Sequence, residues 1–254
     1  KLGISGINPN DVDVNGNCYM KSSGLENLYL QVEGRKIAEF RKEKFPRPFA
    51  KAGLKVTYLF LNNPALLNAS YRDIAEKAGV ALGSIKLIID GLIEEGFVVR
   101  KNRKVNTLKN FDELLDRWTR AYGEKLRPSL EVGTFSLLKS QDIMNWREIK
   151  LNNDKTCWGG DAAANLWTNW LRSPYLTIYT TETRHELIRN YKFIPDPKGT
   201  IKAYSKFWTG DDGAEKTNPI LTYVDLVLAK DGRCLETAKM IYDKFISINS
   251  KKQD

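Results

Sequence analysis

Between Ser70 and Leu108 the apolar positions mark out two short helices and a charged hairpin. Ser70, three residues ahead of Asp73, is close to a capping box, which starts a helix by giving its orphan N–H groups an acceptor. Ile74 and Ala75 face inward one turn later. Ala78-Gly79-Val80 forms a tight turn, with Gly79 in a conformation that a side chain resists. A second helix runs from about Leu82 to Glu95, burying Ile85, Ile88, Ile89 and Leu92 on one face at i, i+3, i+4, i+7 spacing. Gly96 ends it. Phe97-Val98-Val99 and Val105-Asn106-Thr107-Leu108 then flank Arg100-Lys101-Asn102-Arg103-Lys104, two short strands with a charged tip. A helix, a turn, a helix and a basic hairpin make a winged helix-turn-helix, whose second helix fits the major groove of DNA.

The same reading extends along the chain. Cys18-Tyr19-Met20 and Leu28 to Val32 are strand-like runs in an N-terminal β-rich segment, residues 1–34. Lys36 to Arg47 is strongly charged and, with Pro46 and Pro48, reads as a linker. Gly53 to Leu61 suits the first helix of the winged module, and Pro64 with Leu66-Leu67-Asn68 bridges to Ser70. After the hairpin, Phe111, Leu114, Leu115, Trp118 and Tyr122 fall at helical spacing, with Asn110 or Asp112 as cap. Beyond Arg127 the pattern becomes mixed α/β, with strand-like runs at Phe135–Leu138, Leu176–Tyr179 and Leu221–Val224 and helical runs at Gly160–Leu171 and Leu235–Ile246. The expected fold is α+β: residues 35–110 as basic linker and winged helix, and 111–254 as an α/β C-terminal domain. No internal repeat or low-complexity tract is evident.

Charge sharpens the picture. From Arg35 to Asn110 there are 16 Lys and Arg against 7 Asp and Glu, and the remainder carries 24 of each, so the chain's net +9 sits entirely on the winged module. A concentrated positive field is what phosphate binding requires, and double-stranded DNA is the expected partner. A winged helix used only for protein contacts would be expected to mix its signs. Ala81, Leu82, Ser84, Lys86 and Leu87 lie at the front of the second helix, off its isoleucine stripe, and are expected to face the groove; Arg72, on the first helix, is a further expected DNA contact. Ser84 and Lys86 can hydrogen-bond base edges, and Ala81 and Leu82 can pack on thymine methyls. Arg100, Lys101, Arg103 and Lys104 are expected mostly on phosphate or in the minor groove.

Other chemistry is sparse. Cys18, Cys157 and Cys234 are widely spaced and odd in number, which argues against a disulfide framework and for a reducing cytoplasm. His185 is the one histidine, read as a surface helix residue, so neither a zinc site nor a His-based catalytic set is expected. No apolar run suits a membrane span, and the N-terminus lacks the order of a signal peptide. Asp11-Val12-Asp13-Val14-Asn15-Gly16 matches the opening of a calcium loop, but its twelfth position is Ser22, which cannot supply the bidentate acid; Asn15-Gly16 reads better as a hairpin turn. Asp13, Glu33 and Lys36 loosely match a nuclease acid–acid–lysine set, with the last spacing one too long. Gly159-Gly160 before Asp161-Ala162-Ala163-Ala164 could offer N–H groups to a phosphate, but the preferred reading is a tight loop with an alanine face packed on a neighbour. All six tryptophans follow the wing, as core or as part of a partner surface.

Several strings resemble the AbiEi antitoxin family in consistent order. They are Asn15-Gly16-Asn17-Cys18-Tyr19, Val32-Glu33-Gly34-Arg35, Gly53-Leu54-Lys55-Val56, Tyr71-Arg72-Asp73-Ile74-Ala75 and Gly79-Val80-Ala81-Leu82-Gly83-Ser84. Further on come Leu115-Asp116-Arg117-Trp118, Leu126-Arg127-Pro128, Gly159-Gly160-Asp161-Ala162-Ala163 and Tyr223-Val224-Asp225-Leu226. The departure is Pro9-Asn10-Asp11, inserted relative to the family's longer N-terminal region. The resemblance implies a transcriptional regulator of a type IV toxin–antitoxin system. Its winged helix would repress the operon at an operator, and its C-terminal domain would counter a nucleotidyltransferase toxin without a stable complex. It implies no catalysis, cofactor or metal. An enzyme reading from another class is a nuclease-like N-terminal remnant delivered to DNA by the winged helix.

Overall fold

The computed structural model describes residues 18–21, 29–32, 47–102, 105–137, 143–172, 174–210 and 213–248. The chain divides into two units, Lys1–Phe45 and Pro46–Asp254. In the first, β1 (Cys18–Lys21) pairs antiparallel with β2 (Tyr29–Val32), Cys18 opposite Val32 and Lys21 opposite Tyr29. The calcium-like string and Asp13, Glu33 and Lys36 lie outside the described residues.

The second unit opens where a linker is expected, but Arg47–Phe49 is a 3-10 turn with Pro48 and Phe49 buried. Glycine makes this possible. A Cβ at Gly53 would stand 2.0 Å from the Arg47 carbonyl oxygen, and one at Gly91 would stand 2.7 Å from the Pro48 ring. Arg47–Phe49 is therefore locked onto two helices that are not consecutive in the chain, the ones carrying Gly53 and Gly91. Helix α1 (Lys51–Asn62) buries Leu54, Val56, Tyr58, Phe60 and Leu61 around most of its circumference, as a central helix must.

A 3-10 turn (Pro64–Asn68) leads to α2 (Tyr71–Ala78), capped by the Ser70 hydroxyl, which accepts from the Asp73 N–H at 3.1 Å. Gly79 closes α2 in the left-handed region, φ 59°. Helix α3 (Leu82–Glu94) buries Ile85, Ile88, Ile89 and Leu92, the predicted stripe. Gly96 then turns the chain at φ 79° into an antiparallel hairpin of β3 (Val98–Asn102) and β4 (Val105–Leu108). Helix α4 (Phe111–Ala121) continues through a wider π turn (Tyr122–Leu126) and a 3-10 turn (Arg127–Leu130).

The chain then builds a five-stranded mixed sheet with helices. The strands are β5 (Glu131–Ser136), β6 (Thr156–Gly159), β7 (Leu176–Thr180), β8 (Ile194–Pro195) and β9 (Ile201–Ser205), in the order β6-β7-β9-β5-β8 with only β7 and β9 parallel. The helices are α5 (Gly160–Thr168), α6 (Arg184–Tyr191), α7 (Pro219–Ala229) and α8 (Gly232–Ile241), the last ending in a π turn (Tyr242–Ile246). His185 is exposed on α6. Some sequence expectations change: the strand expected at Phe135–Leu138 begins earlier, at Glu131, and ends at Ser136. Leu221–Val224 lies inside α7, because Asn218 caps the Leu221 N–H and Pro219 takes the first turn, while apolar residues on its half-buried side as well hide any helical period. Strands β6 and β9 carry no clean alternation and escape the sequence reading.

The sheet divides the core by the two-residue period of its strands. Tyr179 and its register partner Tyr204 join a core that runs from Phe49 through α1, α3 and α4 to α7 and Ile246. Ile178 and its partner Ala203 face a second cluster with Phe135, Trp158 and Phe193. An aromatic stack ties the first core together: Tyr58 lies 5.6 Å from Trp118 and 5.0 Å from Phe207, and Trp118 lies 4.7 Å from Tyr122. The Trp118 indole donates to the Leu54 carbonyl at 2.8 Å. Leu108 at the end of β4 and Phe111 at the start of α4, on either side of residue 110, both belong to this core. Tryptophan is mostly core material here: Trp118, Trp146, Trp158 and Trp208 are buried, whereas Trp170 is 60% exposed.

Candidate functional site

The residues opposite the isoleucine stripe are bare. Ala81, Leu82, Lys86 and Leu87 are exposed and Ser84 is half-buried, while Arg72 is exposed on α2 and Arg100 and Lys101 on β3. Arg103 and Lys104 lie outside the described residues. The hairpin is fastened beside this surface by a side-chain clamp. Asn106 donates its N–H to Asn68 Oδ1 at 2.7 Å, Asn68 Nδ2 returns a bond to the Asn106 carbonyl at 3.0 Å, and Asn106 Nδ2 reaches the Leu67 carbonyl. At the other end of α3, Glu95 is held by Arg117 at 2.7 Å, and the Arg117 guanidinium lies over the Phe49 ring.

Two features were not visible in the sequence. Asp90 pairs with both Lys86, Oδ2 to Nζ 3.2 Å, and Arg100, Oδ1 to Nη2 3.7 Å. Gly83, in the first turn of α3, would meet nothing if it carried a Cβ. Packing therefore gives no reason for a glycine there, although glycine costs roughly 0.5–1 kcal/mol in a helix relative to alanine.

A second constellation lies where α5, α7 and β7 meet. Asp225 is buried, and three groups offer it positive charge or a proton donor against the nearby negative charge of Asp161. Tyr179 Oη donates at 2.9 Å, the Gly160 N–H donates at 3.1 Å, and Arg127 Nε stands 3.3 Å away as an ion pair. Because the Tyr179 proton goes to the carboxylate, the 2.8 Å bond between the two phenols must be donated by Tyr122. Arg127 lies over the Tyr204 ring, 4.5 Å from its centroid. Burial pushes the Asp225 carboxyl above its ordinary value and Arg127 opposes it; burial likewise lifts both tyrosine hydroxyls. The glycine pair is explained here. A Cβ on Gly159 would strike the Tyr179 ring at 2.6 Å, and Gly160 sits at φ 49° against Thr177. The Asp225 carboxylate occupies the Gly160 N–H that an external phosphate would need, and Ala162, Ala163 and Ala164 are buried, as a close-packed helix requires. A cleft of about 450 Å³ opens beside the pair, lined in part by Arg127, Asp161, Thr177, Lys202 and Asp225.

Three strings that carry the sequence resemblance, around Arg127, Gly160 and Asp225, thus meet in space although they lie far apart in the chain. The family model described as transcriptional regulator, AbiEi antitoxin, type IV toxin–antitoxin system matches residues 107–247, more than half of the chain. The chain belongs to the AbiEi antitoxin family. The matched stretch begins in β4 and holds α4, the whole mixed sheet and α5 to α8, so the Asp225 constellation lies within the AbiEi-matched region. Comparison with curated proteins and with solved structures found no match. No helix among the described residues is long and apolar enough to cross a membrane.

Proposed function

We propose that this AbiEi-family protein represses its own operon by binding operator DNA through a winged helix-turn-helix within residues 35–110, and that residues 111–254 supply the antitoxin activity against a nucleotidyltransferase toxin. The observation that carries the reading is α3. One of its faces is sealed by Ile85, Ile88, Ile89 and Leu92, while the other leaves Leu82, Lys86 and Leu87 exposed beside a hairpin bearing Arg100 and Lys101. A helix so placed can enter the major groove while the hairpin rests on the backbone. Ala81, Leu82, Ser84, Lys86 and Leu87 are the base-facing set; Arg72, Arg100, Lys101, Arg103 and Lys104 are the phosphate and minor-groove set. The charge surplus of the module supports the same partner, since the rest of the chain is electrically balanced.

The test is a gel-shift titration with duplex from upstream of the gene against a scrambled duplex. Lys86→Ala is expected to weaken binding to the upstream duplex by roughly 1–3 kcal/mol and to narrow its advantage over the scrambled one. Unchanged affinity would remove α3 from the reading role.

A further inference from the structure

Lys86 and Arg100, two cations assigned to DNA, share one carboxylate. Asp90 stands one turn after Lys86 on α3 and spans the gap to β3, with one oxygen on each cation. It is the recessed member of the trio: its side chain is 36% exposed, against 70% for Lys86 and 50% for Arg100. A surface that had only to hold a polyanion would place no acid there. The next acid along α3, Glu94, is exposed and has no cation partner among the described residues, and Glu95 beyond it is taken by Arg117.

We propose that Asp90 is an internal competitor for DNA phosphate that lowers affinity for arbitrary duplex and so sharpens sequence selection; this rests on the proposed DNA binding. Every duplex offers phosphates, but to take them Lys86 and Arg100 must leave Asp90. The abandoned carboxylate is then held, unpaired, in the field of the phosphates. Exposed ion pairs are individually weak, so the larger part of the penalty is this like-charge approach rather than the broken pairs. A duplex that gives Lys86 a base-edge acceptor offsets the penalty, whereas one that offers phosphate alone does not. Discrimination is a difference of affinities, and a repulsive element against the wrong ligand enlarges it.

The experiment compares the full chain with its Asp90→Asn and Glu94→Gln variants by fluorescence anisotropy, on a short random-sequence duplex and on the upstream duplex, over a series of salt concentrations. Both variants delete one negative charge from α3, but only Asp90→Asn releases cations. It is expected to bind the random duplex about 3- to 10-fold more tightly than wild type, and its log affinity against log salt is expected to steepen by about 0.9 for each cation released. The gain on the upstream duplex is smaller, so the specificity ratio falls, and Glu94→Gln shows neither change. An Asp90→Asn protein that binds random duplex no more tightly than Glu94→Gln overturns the proposal. So does one that binds both duplexes more weakly, which would make Asp90 a support for Arg100. If wild type and variants all fail to bind either duplex at low salt, the DNA-binding reading itself falls.

Discussion

Gly83 and Tyr179 illustrate two different reasons for a residue to be what it is. At Gly83 nothing lies within reach of an added Cβ, so Gly83→Ala is expected to stabilise the fold by about 0.5–1 kcal/mol in urea denaturation. If the glycine leaves room for DNA backbone, the same variant loses duplex affinity; a variant both more stable and equally tight would show that no such approach occurs. Tyr179 and Tyr122 are fully buried phenols in a chain of donors ending on Asp225. Their folded pKa values lie above the ordinary 10.0, burial being the largest cause. Each hydroxyl therefore contributes stability that is fully present below pH 10 and declines as the pH rises toward the folded value, because the unfolded chain loses its proton first. Above pH 10 unfolding free energy should fall by about 1.4 kcal/mol per pH unit for each buried tyrosine. Tyr191, Tyr204 and Tyr223 are raised as well, so Tyr122→Phe, which keeps the ring and removes only the terminal donor, should reduce the total slope by one tyrosine's share, about 1.4 kcal/mol per pH unit, and an unchanged slope would locate alkaline unfolding elsewhere.

At the scale of elements, the proposed DNA binding gives the hairpin and α3 separable duties. Arg100 and Lys101 are exposed on β3, and the Asn68–Asn106 clamp sets where the strand pair stands. Arg100→Gln with Lys101→Gln is expected to lower affinity for upstream and scrambled duplex alike, and to flatten the salt plot by about 0.9 for each phosphate-bound cation removed. A slope as steep as wild type would mean that the hairpin points away from DNA. Breaking the clamp with Asn68→Ala tests positioning instead of charge. It leaves every cation in place, so the salt slope should persist while the preference for the upstream duplex shrinks.

At the largest scale, one core within Pro46–Asp254 links the elements that carry the two proposed duties. Trp118 and Tyr122, on the α4 side of residue 110, stack with Tyr58 of α1, Phe207 and each other. A fragment starting at Asn110 loses the Tyr58 stack and the Leu54 carbonyl that receives the Trp118 N–H, and is expected to melt well below the full chain by circular dichroism. Division of labour is therefore better tested in the intact protein. The Lys86→Ala, Arg100→Gln, Lys101→Gln combination should abolish operator binding in a gel shift yet still rescue growth when the cognate toxin is induced. Loss of rescue alongside loss of DNA binding would make protection depend on the operator rather than on residues 111–254.

The run from Ser70 to Leu108 is legible in sequence because its order is local. Caps, a left-handed glycine and a buried stripe at i, i+3, i+4, i+7 act within a few residues of one another, and the surplus of charge is a sum that needs no coordinates. The strings around Arg127, Gly160 and Asp225 are also visible one by one. That they form a single buried constellation is a matter of tertiary structure alone: α7 packing on α5 brings Asp225 to Gly160, and the turn at Arg127–Leu130 brings Arg127 to Asp225. Leu221–Val224 reads as a strand for the same reason: α7 is apolar even on its half-buried side, at Tyr223, Val227 and Leu228, and so has no polar face to reveal a helical period. Asp90 is the sharpest case. In the sequence it is an acid four residues after a lysine, an ordinary helix pair. Only the fold brings Arg100 to its other oxygen, because a hairpin register and a helix rotation, neither written in any local pattern, decide which charges share a surface.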